Sequence, residues 1–136
     1  ELAGKINQQM PYHCVAKIER ALNNAGRPVK GSRIAILGVS YKPGVGDIRE
    51  SPALKILTLL SALGADLRYH DPHVPHLHDY NLSSTPVEEA IQDADLVLIV
   101  TAHPNVDHDM VLKRARLTLD LRGITRGTHA ENVVRL

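Results

Sequence analysis

Short apolar runs alternate along this chain with stretches of helical period, and that alternation limits the folds open to it. "SRIAILGV" is nearly continuous in apolar residues and ends at Gly38, as expected of a strand buried on both faces. "ADLRYHDP" is a second strand halted by Pro72, "DLVLIVTAHP" a third, and "RLTLDLRG" a fourth with Leu117, Leu119 and Leu121 on one face and Asp120 on the other. Between them lie "PALKILTLLSAL", "TPVEEAIQDA" and "HDMVLKRA", each predicted as a helix. Ser51 followed by Pro52 is an N-cap and first-turn pair, and Gly64 stops the first of these helices. Strands joined through helices by short connections favour right-handed crossovers and a parallel sheet. The tail "ITRGTHAENVVRL" fits neither period.

Ahead of the first strand, Leu2, Ile6, Met10, Cys14, Ile18 and Leu22 recur at intervals of four and form one apolar stripe on a helix. Gly26 and Pro28 end that helix, and Pro11 should kink it or mark its start. The stripe needs cover, either from this domain or from another chain. The predicted fold is α/β: a Rossmann-like parallel sheet with helices on both faces, preceded by a long N-terminal helix. Ligands in such folds bind beyond the carboxyl ends of the strands. The unusual residues gather there, at 38–49, 70–79, 101–109 and 120–123.

At 136 residues the chain is one domain of ordinary size. Hydrophobic residues make up 43% and charged ones 23%, the composition of a globular domain. No apolar run approaches the roughly 20 residues that span a bilayer, so no membrane partner is expected. Sixteen Lys and Arg against fifteen Asp and Glu leave a net charge of +1, and Phe and Trp are absent. A nucleic-acid partner would call for a basic excess, and for stacking aromatics if single-stranded. None is expected. One cysteine excludes an internal disulfide and fits a reducing, cytoplasmic setting. The chain begins at Glu1 in helical sequence, and we expect it to be part of something longer.

The loop "GVSYKPGVGDIRESPAL" starts like a phosphate-binding turn and then departs from one. The nearest approach to G-x-G-x-x-G is Gly44, Gly46 and then Arg49 where a glycine is needed for close helix packing. Gly44 also lies six residues past Gly38, too far for a tight turn into a helix. A dinucleotide site fails on both counts. A side-chain anion site survives: Lys42 is a mobile point charge and Tyr41 offers a face and a hydroxyl, although Lys42 also reads as a solvated loop lysine. Asp47 and Arg49 form a natural pair that would pin the loop. Arg122, just past the fourth strand, could grip a phosphate or carboxylate in bidentate fashion, or pair with Asp120.

Other residues favour structural readings. His70, His73, His76 and His78, with Asp71 and Asp79, invite a zinc reading, but two prolines in "HDPHVPHLHD" fan the side chains apart and no metal is expected. Asp71 is read as a cap for the turn at Pro72 in preference to a ribose ligand. His103 and His108 are read as surface and helix-start residues, and Cys14 as a buried helix residue.

"GVSYKPGVGDIRESPAL", "GADLRYHDPHVP", "DADLVLIVTAH" and "LDLRG", in that order and spacing over about 31–123, resemble the C-terminal nucleotide-sugar-binding domain of the UDP-glucose/GDP-mannose dehydrogenase family. "NQQMPYHCVAKI" is similar to the later half of the family's long inter-domain helix, and "YHDPHVP" to bacterial members that oxidise UDP-N-acetylhexosamines. The resemblance implies a division into residues 1–26, the end of that inter-domain and dimerisation helix, and 31–136, a UDP-sugar-binding domain. It implies a parent enzyme that oxidises the sugar C6 alcohol to a carboxylate with two NAD+ in succession, through a catalytic cysteine. NAD belongs on a separate N-terminal domain of the same chain, with none bound here. It also implies a homodimer, cytoplasmic and engaged in polysaccharide precursor synthesis. The family's aromatic–lysine pair falls on Tyr41 and Lys42, and its Asp-x-Arg arginine on Arg122. Gly44 departs from the acidic or polar residue common in that loop. The Gly-rich segment with the catalytic cysteine has no counterpart here, so the chain is expected to bind and not to catalyse. Two rival readings are a receiver-like signalling module, which would need paired acids after strand one, and a dimerisation domain with a vestigial pocket.

Overall fold

The apolar runs become the strands of one sheet. The computed structural model describes residues 2–40, 51–121 and 132–135. Helix α1 (Leu2–Asn24) leads into β1 (Arg33–Leu37), α2 (Pro52–Ala62), β2 (Asp66–His70), the short strands β3 (His76–Leu77) and β4 (Leu82–Ser83), α3 (Val87–Ile91), β5 (Leu96–Ile99), α4 (His108–Arg114), β6 (Thr118–Asp120) and β7 (Val133–Arg135). The large sheet has the order β2-β1-β5-β6-β7 and is parallel throughout. Its register brings His70, Leu37, Ile99, Asp120 and Arg135 level at the carboxyl edge.

Period-two alternation sorts the strand residues between two cores. Ile34, Ile36, Leu96, Leu98 and Leu119 pack against α1 and α2, joined by Ile18, Leu22, Ile56, Leu57 and Leu60. Ala35, Leu37, Val97 and Ile99 face the other way, toward Ala90 and Ile91 of α3 and Val111 of α4. Right-handed crossovers require this: chain leaving β1 for β2 and chain leaving β5 for β6 travel in opposite directions, so their helices land on opposite faces. Between β1 and β5 the strand order reverses, the point at whose carboxyl edge open α/β sheets commonly bind ligands.

Ser51 caps α2 as its position suggests, accepting the N–H of Ala53, with Pro52 in the first turn. In α1, Cys14, Val15, Ile18, Ala21 and Leu22 are buried, so this part of the stripe is covered by the domain itself. Pro11 lies inside α1 and does not mark its start. The tail that fits no period contributes β7, a parallel edge strand. Between β2 and α3 a two-stranded antiparallel piece, β3 with β4, closes over a 3₁₀ turn at His78–Tyr80. Among the described residues no helix is long and apolar enough to cross a membrane.

Candidate functional site

Three strands end at the reversal, and each delivers a buried polar side chain within four residues of its end. Ser40 follows β1, Asp71 follows β2, and Thr101 and His103 follow β5. Asp71 has no solvent-exposed surface, and His103 is 1% exposed. One carboxylate oxygen of Asp71, Oδ2, accepts the N–H of Val39 at 2.8 Å and of Ser40 at 3.0 Å. It also accepts the Ser40 hydroxyl at 3.1 Å and meets His103 Nε2 at 2.9 Å. Its other oxygen accepts the N–H of His73 at 2.8 Å, and the Ser84 hydroxyl accepts the N–H of Asp71 itself. Thr101 donates its hydroxyl to the Ser40 carbonyl at 2.6 Å.

Burial would raise the Asp71 carboxyl, but the N–H of Val39, the His103 ring and the N–H groups of His73 and Ser40 together outweigh it and hold the group below the usual carboxylate range. An ionised Asp71 only accepts, so His103 donates from Nε2. Breaking a buried charged set of this kind typically costs about 3–5 kcal/mol. Serine, histidine and aspartate together suggest a nucleophilic triad, and the geometry excludes one. A triad base reaches serine and carboxylate through different ring nitrogens. Here Nε2 meets both, lying 3.0 Å from Ser40 Oγ, and Ser40 is fully buried. The set ties loops together.

The backbone approach at this point is close. Gly38 has φ +84, and a Cβ there would lie 2.4 Å from the Thr101 carbonyl oxygen. Of the first N–H groups after β1, which a dinucleotide fold turns toward pyrophosphate, that of Gly38 donates to the His70 carbonyl and those of Val39 and Ser40 to Asp71. Helix α2 begins at Pro52, far past the end of β1. The Val39 and Ser40 N–H groups are therefore not open to a pyrophosphate. Nor is Asp71 open to a ribose, since both its oxygens are engaged.

Asp71 caps the turn at Pro72, as the sequence suggests, and in addition holds the loop leaving β1. The surface reading of His103 is wrong: its place beside Asp71, across the sheet, buries it. His108 does start α4, with its Nε2 buried and without a hydrogen-bond partner. Burial lowers its pKa against the pull of Asp120, Asp107 and Asp109. Cys14 is buried in α1 and its thiol is pushed up to about 12 by desolvation, so it is no nucleophile. His70 donates from Nδ1 to the Thr85 carbonyl at 2.6 Å, His76 meets Ser83 Oγ at 3.1 Å, and the rings of His73 and His103 lie 5.0 Å apart. Among the described residues no three His, Cys, Asp or Glu side chains converge as metal ligands. Tyr41, Lys42, Asp47, Arg49 and Arg122 lie outside the described residues. What sequence reasoning missed is the role of Ser40, Thr101 and His103. The signal available was three polar positions just past neighbouring strands, and it needs the strand order to be read.

Comparison with known proteins adds the family. The chain is 32% identical over 130 residues to the UDP-N-acetyl-D-mannosamine dehydrogenase of Pyrococcus horikoshii, a match covering 92% of this chain and 30% of the relative. It is 33% identical over 114 residues to UDP-glucose 6-dehydrogenase TuaD of Bacillus subtilis, covering 80% of this chain and 24% of the relative. The solved structure of the Pyrococcus horikoshii UDP-D-ManNAc dehydrogenase superposes with a TM-score of 0.80 at 26% identity, over 99% of this chain and 32% of that one. The chain thus spans less than a third of the length of these relatives. Residues 35–127 match the UDP-binding domain of the UDP-glucose/GDP-mannose dehydrogenase family, and the chain belongs to that family.

Proposed function

We propose that this chain is the UDP-sugar-binding part of an NAD-dependent UDP-sugar 6-dehydrogenase, which oxidises the sugar C6 alcohol to a carboxylate in two NAD+-linked steps. The observation that carries the reading is the match of residues 35–127 to the family's UDP-binding domain, which runs through all the loops at the carboxyl edge around the β1–β5 reversal. Binding, not catalysis, is the role assigned here: the single cysteine is buried in α1, and the Val39 and Ser40 N–H groups end on Asp71 and not on a cofactor phosphate. NAD would occupy an N-terminal domain of the same protein. Tyr41, Lys42 and Arg122 are the proposed UDP contacts, with Asp47 and Arg49 pinning the loop, and residues 31–136 form the binding unit. A cytoplasmic homodimer serving polysaccharide precursor synthesis completes the proposal.

Calorimetry of the chain against UDP, a UDP-sugar and NAD+ in parallel tests it. UDP and its sugars should bind, and NAD+ should not. Lys42→Ala and Arg122→Ala should each weaken UDP binding by about 1.5–3 kcal/mol, the scale of a hydrogen bond to a charged group. Tighter binding of NAD+ than of UDP overturns the assignment.

A further inference from the structure

We propose that His76 and His78 form a two-histidine site for a borderline-soft divalent cation such as Zn2+ on the β3–β4 hairpin. β3 runs directly into the turn at His78, and period-two alternation sends Leu77 inward while the histidines on either side of it face solvent. Leu77 is buried and packs in the core, and both histidines are exposed. Pro72 and Pro75 separate His70 and His73 from this pair, but no proline stands between His76 and His78. Their ring centres lie 5.5 Å apart. A metal–nitrogen bond of about 2.0–2.1 Å puts a ring centre roughly 3.2 Å from the ion, so two rings on one tetrahedral ion have centres about 5.2 Å apart. The observed spacing is within about 0.3 Å of that value.

The hairpin also prepares one of the ligands. Ser83 stands opposite His76 in the β3–β4 register, and its Oγ lies 3.1 Å from His76 Nδ1. With Nδ1 donating to that hydroxyl, Nε2 keeps its lone pair for a metal and the ring is held in one orientation. Asp79, next in the chain and exposed, adds a negative charge to the same turn. Imidazole nitrogens suit Zn2+, Ni2+ and Cu2+, whereas Mg2+ and Ca2+ call for oxygen ligands. No third His, Cys, Asp or Glu converges among the described residues, so water completes the shell. Such an ion ties β3 to the turn that carries Tyr80, whose hydroxyl donates to the Leu54 carbonyl of α2.

Calorimetry of the untagged chain with Zn2+, and with Mg2+ in parallel, tests the site. One Zn2+ should bind per chain, and Mg2+ should not bind. His76→Ala and His78→Ala should each weaken Zn2+ binding by about tenfold or more, since each removes one of two protein ligands. His73→Ala, which removes an exposed histidine outside the pair, should leave the affinity unchanged. Without metal all four proteins should melt alike, because the substituted side chains are exposed. Zn2+ should then raise the melting temperature of wild type and His73→Ala, and of neither pair variant. Two bound ions, with each pair variant losing one of them, would mean separate sites and overturn the proposal. Unchanged affinity in either pair variant, an equal loss in His73→Ala, or Zn2+ binding no better than Mg2+ overturns it as well.

Discussion

Gly38→Ala tests the tightest point of the architecture. A methyl group there would lie 2.4 Å from the Thr101 carbonyl oxygen, 2.5 Å from Thr101 Cβ and 2.8 Å from Thr101 N. Carbon contacts are comfortable at about 3.5–4.0 Å, so the turns after β1 and β5 must part by about 1 Å. Two of the obstructing atoms are backbone and cannot rotate aside. Parting the turns also strains the bonds from Val100 N and Thr101 N to the Leu37 carbonyl, at 3.0 and 3.2 Å. Alanine at φ +84 costs about 1–2 kcal/mol for its backbone conformation, and overpacking adds about 1–3 kcal/mol. The total of about 2–5 kcal/mol is a large part of a domain's usual stability of about 5–15 kcal/mol. Gly26 supplies the control: its φ is +79, yet an added Cβ meets nothing within 4 Å. Gly26→Ala should therefore show the conformational cost alone. Urea unfolding followed by far-UV circular dichroism measures both variants, and Gly38→Ala should be the less stable by about 1–3 kcal/mol. Equal losses would show that the approach of Gly38 to Thr101 carries no stability.

Ser51→Ala removes the oxygen that accepts the Ala53 N–H at the start of α2 and should cost about 1 kcal/mol in the same urea assay. Burial lowers the His108 pKa, so the unfolded chain takes up a proton first as the solution is acidified. The stability linked to this group is complete above the unfolded value, about pH 6.5, and is lost as the pH falls through the lower folded value. His108→Gln should flatten the rise of stability between about pH 5 and 7; an unchanged slope would remove His108 as its source.

The sheet and its helices were legible because burial on two faces writes itself into composition. "RIAIL" and "LVLI" are strands over almost every residue, and the Ser51–Pro52 signal marks the start of α2. β7 was not legible, because its pairing is tertiary. Asn132 donates its side-chain amide to the Leu112 and Ala115 carbonyls at the end of α4, and its own carbonyl accepts Thr118 N–H. β3 and β4, at two residues each, are too short to show a period. His103 stands in "TAHPNVDHD", which reads as polar surface. Its burial depends on Asp71, 32 residues earlier, and the two meet only because β5 lies next to β1 and β1 next to β2.

Doubly wound sheets commonly hold anions with backbone: the N–H groups after the first strand, and the amino end of the helix that follows. Among the described residues both resources are already engaged. Val39 and Ser40 N–H end on Asp71; at α2, Pro52 has no N–H and Ser51 takes that of Ala53. Asp71 also brings a buried negative charge to the carboxyl edge, and the dipoles and the His103 donor that surround it are spent on that charge. An anionic ligand at this edge gains nothing from those N–H groups and calls on side-chain cations instead. On the proposed reading those are Lys42 and Arg122, and the Val39 and Ser40 N–H groups do not share the load when one of them is removed. That is the physical ground for expecting each to cost a full charged hydrogen bond, and for expecting a neutral replacement to be no partial substitute.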